Sequence, residues 1–342
     1  MENGILIHAS QKNRPFYLGT IAVLLLVLLV PGGGVALATP RNNSFERVGD
    51  AHLPFLTLYT TGLATGPQLA LWGAIERGRI LEKCNIRVKL WKTLDDLQHA
   101  LLAGEGDLWL GHTDVFVEAG LRGAPVQLLL TTGWRKFYLL SADRQALHFS
   151  NFTGASLAVT PPGSPAVPVL RSLGVESLRT ISFVFDEPQA LLKKLVQGEL
   201  SAALLPEPLV TKALLACPNL TVGENVEDLY GKHTGHLHGM PIAGIAVNAQ
   251  TAKKYPEIIA WIAKETMENA ALLAVSPLRG VDDLPEEFQP SLPKALVKAS
   301  LQRERVHAAY SHAVKPEIDD YMESIFSAEK NTPLPDSLFW QQ

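Results

Sequence analysis

The 342-residue chain is 47% apolar and 19% charged, which excludes a disordered protein and leaves room for two domains or one large one. A net charge of −4 with no basic run gives no electrostatic basis for binding nucleic acid. The two cysteines, Cys84 and Cys217, make neither a zinc motif nor a disulfide framework.

Lys12 and Arg14 precede an apolar run, Tyr17–Val30, which ends in Pro31-Gly32-Gly33-Gly34 and the small-residue pattern Ala36-Leu37-Ala38. Basic, apolar and small-residue segments in that order define a secretory signal, here residues 1–38, with cleavage before Thr39. As a permanent anchor the run is short, because its length of helix spans about 21 Å against about 30 Å of hydrocarbon. No cysteine follows the cleavage position, so no lipid attachment is expected there. The mature chain is expected to be exported to the periplasm and soluble.

Arg41–Asp50 is polar and reads as a leader. Phe55–Tyr59 reads as the first strand and Thr60–Pro67 as a Thr- and Gly-rich loop. Gln68–Arg77 has apolar residues at Leu69, Trp72 and Ile75, a helix that Gly78 stops. Ile86–Leu90 alternates as a second strand, and Asp95 or Asp96 is placed to cap a helix running to Leu102. Leu108–Leu110 is a third strand, leading into His112-Thr113-Asp114 and another helix, and Val126–Leu130 is a fourth. Strands alternating with helices at this spacing indicate α/β units around a largely parallel sheet.

Ser156–Val159 reads as a buried strand running into Thr160-Pro161-Pro162-Gly163-Ser164-Pro165, which neither a strand nor a helix interior accommodates. Val167, Leu170 and Leu173 then recur at helical spacing, with Ser164 as the expected cap and Gly174 as the stop. A helix start at the carboxyl end of a strand is where polar ligands commonly sit, although an ordinary strand–helix turn has the same pattern. Asp186 and Gln189 suggest a capping box for a helix over Glu187–Val196. Leu101–Asp114 and Leu195–Pro208 align without gaps, each reading helix end, Gly-Glu turn, short strand, polar turn and helix start. The alignment makes His112-Thr113-Asp114 and Pro206-Glu207-Pro208 equivalent strand-end turns, which converge with Thr160–Pro165 if two such lobes face each other. Ile242–Asn248 is strand-like and Tyr255–Leu273 is an amphipathic helix. Beyond Val281 the pattern is mostly helical, and the apolar tail Leu334–Trp340 is suited to docking.

Leu101–Asp107, Gly154–Leu173 with its Gly163-Ser164, Pro206-Glu207-Pro208, and Gly239–Asn248 followed by Tyr255-Pro256-Glu257 together resemble the periplasmic substrate-binding proteins of ABC transporters. More narrowly they resemble the nitrate/sulfonate/taurine family, which includes binders of thiamine-pyrimidine precursors. The resemblance covers most of the chain after about residue 52. It implies an α/β fold of the type 2 periplasmic-binding-protein class. Each of its two lobes is a mainly parallel sheet flanked by helices, joined by crossover strands near Phe137–Ala142 and Ile242–Val247. Lobe one would be residues 51–138 and 243–342, and lobe two residues 139–242. The implied function is capture of a small organic solute between the lobes, without turnover or cofactor, by a monomer that delivers it to a membrane permease and its ATPase.

The expected ligand-binding residues are Thr65, Gly66, His112, Thr113, Asp114, Trp134, Thr160, Gly163, Ser164, Glu207 and His238. Several have a plainer explanation. A carboxylate at Glu207 suits a helix start whatever its function, His112-Thr113-Asp114 suits a helix cap, and Trp134 suits a core. Two other functions stay open. One is a cleft enzyme on the same fold, resembling pyrimidine synthases or dehydratases, although no nucleophile elbow, phosphate loop or dinucleotide motif is present. The other is an exported metal-binding protein using His233, His236 and His238. Export is the directly testable part: mass spectrometry of periplasmic protein should find a chain beginning at Thr39, and a full-length, membrane-retained species would contradict it.

Overall fold

The computed structural model describes residues 44–289, 291–326 and 333–341. The signal segment and the Thr39 cleavage position lie outside them, as do Arg41 to Asn43 of the expected leader. Among the described residues no helix is long and apolar enough to cross a membrane.

The chain begins with β1 (Ser44–Arg47), β2 (Phe55–Thr60), α1 (Gly66–Glu76) and β3 (Asn85–Leu90). It continues with α2 (Leu94–Leu102), β4 (Leu108–His112), α3 (Thr113–Leu121) and β5 (Val126–Gly133). A second group of elements follows: β6 (Phe137–Ser141), β7 (Ser156–Val159), α4 (Ala166–Ser172), α5 (Glu176–Arg179) and β8 (Ser182–Phe185). That group closes with α6 (Pro188–Val196), β9 (Ala202–Pro206), α7 (Leu209–Ala216), β10 (Thr221–Asn225) and α8 (Val226–Thr234). The last elements are β11 (Ala243–Asn248), α9 (Ala249–Lys254), α10 (Pro256–Val275), α11 (Lys294–Ser300), β12 (Val306–Tyr310) and α12 (Lys315–Phe326).

The strands form a seven-stranded sheet, β1-β3-β2-β4-β11-β5-β12, and a five-stranded sheet, β10-β6-β9-β7-β8. Two sheets flanked by helices is the two-lobed architecture the sequence leads one to expect. The pairing is more mixed than a mainly parallel sheet: β2 is parallel to β3 and β4, and β7 to β8 and β9, while every other pair is antiparallel. The cause lies in the two strands that enter from the neighbouring sheet. β6 starts with Phe137 opposite Pro206, the last residue of β9, and β11 starts with Ala243 opposite His112, the last residue of β4. A strand arriving at the carboxyl ends of its neighbours can only run against them. The actual crossings are therefore Trp134–Lys136 and Gly235–Ile242, just before the strands expected to carry them.

Ser44–Arg47, expected to be part of a leader, is an edge strand antiparallel to β3. Its brevity and alternating charges hid it from a reading based on apolar runs. Val306–Tyr310, read as helical, is also a strand, paired with β5. Several caps differ from expectation. Thr93, one residue before α2, accepts from the Asp96 amide while Asp96 reciprocates, so Asp96 is the inner half of a capping box. Glu187 precedes α6 with no side-chain cap, because Asp186 is turned back onto the Glu187 amide and Lys194. Pro165 rather than Ser164 precedes α4, and Ser164 caps nothing.

The repeated segments do adopt one structure. After α2 and α6, Gly104 and Gly198 both have positive φ (65° and 73°), and the following amides, Glu105 and Glu199, bond back to Ala100 and Lys194. This is the left-handed helix end that glycine alone adopts without strain. One apolar cluster passes from the first sheet to the second, with Trp109, Phe116, Trp134, Phe137, Leu204 and Tyr321 all buried in it. The tail docks as expected: Leu338, Phe339 and Trp340 are buried, and the Trp340 amide donates to the Leu128 carbonyl. In β11, a Cβ on Gly244 would collide with the Leu130 carbonyl oxygen of β5, which the sheet holds in place. Gly244→Ala is therefore expected to destabilise the chain by about 1–3 kcal/mol, read as a lower urea midpoint, and an unchanged midpoint would contradict this packing.

Candidate functional site at the strand ends

The antiparallel entry of β6 and β11 brings the carboxyl ends of both sheets to one place. His112 faces Ala243, Gly133 ends β5 beside it, and four residues later Phe137 faces Pro206 of the other sheet. The connecting segment is pinned on both sides. The Glu207 amide donates to the Lys136 carbonyl (2.9 Å), and the Lys136 amide donates to Glu227 Oε1 (2.9 Å). Both Glu227 oxygens also accept from the Phe137 amide at 3.1 Å. Glu227 lies in the first turn of α8, where the helix dipole favours a carboxylate. Burial nevertheless pushes its acid up to about 7, against the pull of those amides.

Several side chains here have no hydrogen-bond partner among the described residues. They include the hydroxyls of Thr60, Thr65 and Thr132 on the first sheet's side, and those of Thr160 and Ser164 on the second's. All five residues are buried. Thr60, Thr132 and Thr160 stand at or just beyond the ends of β2, β5 and β7. Asp114 Oδ1, Glu304 Oε1, Arg135 Nε and the hydroxyls of Tyr230 and Tyr321 are likewise buried and unpartnered. Buried polar groups ordinarily find a partner, and leaving one unpaired costs about 1–3 kcal/mol.

The expected site residues divide into two sets. Thr65, Asp114, Thr160 and Ser164 are among the unpartnered groups. His112 ends β4, where burial and then the Lys136 charge push its imidazole down to about 3, so it is neutral. Burial pushes the Asp114 acid up to about 6. Thr113 spends its amide on the Ile242 carbonyl (2.9 Å). Gly66 donates its amide to Glu304 Oε2 (2.9 Å). Gly163 is exposed, with φ 74° and open space where a side chain would lie.

Trp134, Glu207 and His238 have partners within the protein. Trp134 is 1% exposed, donates from Nε1 to the His307 carbonyl (3.2 Å), and packs against the His238 and His307 rings. His238 stacks on His307 with ring centres 4.3 Å apart. Glu207 is 1% exposed and takes Arg303 Nε at 2.5 Å, with Thr211 donating to its other oxygen from both amide (3.2 Å) and hydroxyl (2.8 Å). Burial still raises its acid despite Arg303. The three histidines of the polar loop are not gathered. His233 is exposed near the end of α8, His236 bonds Asp320 (2.7 Å), and His238 is in the stack. Among the described residues no group of three His, Cys, Asp or Glu side chains is arranged to hold a metal ion.

Lys136, Glu227, Arg303 and Glu304 escaped the sequence reading. Lys136 stands among Glu304, Glu227 and Glu207, which hold its charge against the burial that lowers its pKa. Arg303 and Glu304 immediately precede β12, and recognising that strand would have placed a charged pair at its start. Two surface cavities, about 770 Å³ beside the tail and about 470 Å³ between α4, α8 and α12, include none of the expected site residues.

No family model matches this sequence, and no curated protein matches it either. Solved structures do match its fold. A crystal structure described as an ABC transporter from Parabacteroides distasonis aligns over 85% of this chain and 99% of its own, at 16% identity and a TM-score of 0.64. The periplasmic aliphatic sulphonate binding protein of Escherichia coli aligns over 84% and 92%, at 17% identity and a TM-score of 0.63. The periplasmic nitrate-binding protein of Synechocystis aligns over 82% and 84%, at 13% identity and a TM-score of 0.56. This chain has the two-lobed periplasmic-binding-protein fold.

The Glu227 acid gives the site a pH signature. Its folded pKa, about 7, lies above the ordinary 4.5, so the folded chain keeps a proton that the unfolded chain releases. That stabilising contribution is complete below about pH 4.5 and is lost as pH rises through about 7. Between those values the melting temperature of the wild type should fall relative to that of Glu227→Gln, measured by scanning fluorimetry in a pH series. Parallel curves would show that Glu227 is not the group responsible.

Proposed function

We propose that this chain is the exported solute-binding component of an ABC importer. It captures a small polar molecule between two lobes and presents it to a membrane permease and ATPase. The observation that carries this reading is the set of buried, unpartnered hydroxyls contributed from both sheets, Thr60, Thr65 and Thr132 on one side and Thr160 and Ser164 on the other. Neither side alone completes their hydrogen bonds, and a ligand seated between them does. Support comes also from the fold shared over nearly the whole length of sulphonate- and nitrate-binding periplasmic proteins. The secretory signal pattern of residues 1–38 agrees with a periplasmic location.

The lobes are residues 51–138 with 243–342, and residues 139–242. Closure brings Arg303, just ahead of β12, onto Glu207 and Thr211 beside β9, with Arg305 donating to the Leu237 carbonyl (2.7 Å). Binding energy shifts the chain toward this arrangement to the extent that the ligand touches both lobes. A cleft enzyme is the second reading, favoured by the raised acid of Asp114. Burial accounts for that shift, and the 3.9 Å between Asp114 Oδ1 and His112 Nδ1 is too long for a proton-relay hydrogen bond.

Native mass spectrometry of the exported protein, purified without unfolding, tests the capture role. A small molecule should be retained by the native chain and released on denaturation. Arg303→Met should release it and, by leaving Glu207 buried without its cation, cost about 3–5 kcal/mol. Only bare protein, with an unchanged radius of gyration across a panel of candidate solutes, would defeat the proposal.

A further inference from the structure

The first turn of α1 already holds an anion, and that anion belongs to the chain. Gly66, the first residue of this eleven-residue helix, donates its amide to Glu304 Oε2 (2.9 Å). A Cβ on Gly66 would lie 2.9 Å from the same oxygen, so the carboxylate rests directly against the helix end. Helix N-termini stabilise negative charge, and the preceding residue, Thr65, supplies no side-chain cap of its own. Glu304 therefore takes the place an oxyanion would occupy. Its other oxygen, Oε1, is buried and has no partner among the described residues. Beside it, Thr65 is 1% exposed and its hydroxyl is unpartnered as well. Thus the helix end is filled, while a carboxylate oxygen and a hydroxyl next to it are left over.

The surrounding charges point the same way. Of the two cations in the crossing, Lys136 is already surrounded by Glu304, Glu227 and Glu207. Arg135 is paired with Asp228 (2.5 Å), while its Nε is buried without a partner. Arg303 is engaged by Glu207 and Thr211. His112 is neutral and brings no positive charge. Asp114 Oδ1, beside His112, is a further buried acceptor without a donor. An incoming anion would add to this surplus of carboxylate, with no free helix amide at Gly66 to receive it. A ligand carrying N–H groups would satisfy Glu304 Oε1 and Asp114 Oδ1, since an ionised carboxylate can only accept, while the unpartnered hydroxyls can donate to or accept from the rest of the ligand.

Resting on the solute-capture role proposed above, we propose that Glu304 sets the ligand class. The site takes a cationic, N–H-donating solute of the amine or amidine type, held by Glu304 Oε1, and excludes sulfonate- and nitrate-like oxyanions. Ligand class is thereby separated from fold, because Glu304 lies in the segment between α11 and β12, outside every motif on which the family resemblance rests.

The test is scanning fluorimetry and titration calorimetry on the exported chain with two panels. One holds ethanolamine, putrescine, agmatine and benzamidine, and the other holds methanesulfonate, ethanesulfonate and nitrate. A member of the first panel should bind the wild type, and the second panel should not. Glu304→Gln keeps an acceptor for the Gly66 amide but loses the charge, so it should weaken amine binding about tenfold or more with little change in ligand-free melting temperature. Glu304→Ala, if it folds, should vacate the helix end and admit methanesulfonate. Wild-type binding of a sulfonate or nitrate as tight as that of any amine overturns the inference and leaves the capture role standing. Unchanged amine affinity in Glu304→Gln also overturns it. Silence from both panels, with no retained molecule in the native protein, overturns the capture role together with it.

Discussion

The arrangement depends on one buried ion pair, Glu207 with Arg303, that joins the two sheets across the site. Taking both charges out of water is expensive, and their attraction offsets that only when geometry and remaining hydrogen bonds are good. Here they are: Arg303 Nε meets Glu207 Oε1 at 2.5 Å, and Thr211 satisfies the second oxygen. The raised acid of Glu207 shows that burial still outweighs its partner. The pair is therefore better understood as a device that selects one mutual placement of the sheets than as a large source of stability. Tyr138, donating to the Arg303 carbonyl, adds a second tie between the same elements.

Around that pair the chain changes direction within a few residues. Arg303 reaches to the second sheet while its neighbour Glu304 reaches back to the start of α1 on the first. Opposite them, the Trp134–Lys136 crossing is clamped between the Glu207 amide and the Glu227 carboxylate. A displacement at any of these points is felt by the others, because the same few buried groups share their hydrogen bonds. The unpartnered hydroxyls lie in this same region.

Much of the site could be read from the chain, though not always in the right role. Glu207 is visible in the sequence at a strand end between prolines, and it stands at the junction paired with Arg303. Ser164 was expected to cap a helix and instead leaves its hydroxyl unpartnered. Trp134 and His238 sit beside the crossings as expected, yet they are occupied by one another and by His307. In each case the residue type and its place on an element were legible, while its partner was not. Arg303 and His307, two of those partners, lie far along the chain in or beside β12, which reads as helix in the sequence.

Periodicity and punctuation determined most of the elements by themselves. Ser156–Val159, the helix ends at Gly104 and Gly198, and the docking tail all follow from local apolar spacing or from a φ that only glycine adopts readily. The repeated helix–strand–turn unit was equally visible, because its register depends on residues close together in sequence. Tertiary structure alone decided which strands run antiparallel, since that depends on the end from which β6 and β11 enter their sheets. It alone decided that Glu304 fills the start of α1 and that Arg303 is consumed by Glu207. A charge declares its sign in the sequence, but its availability to a ligand depends on what burial places beside it. Here that neighbour is roughly a hundred residues away for Glu207 and more than two hundred for Gly66.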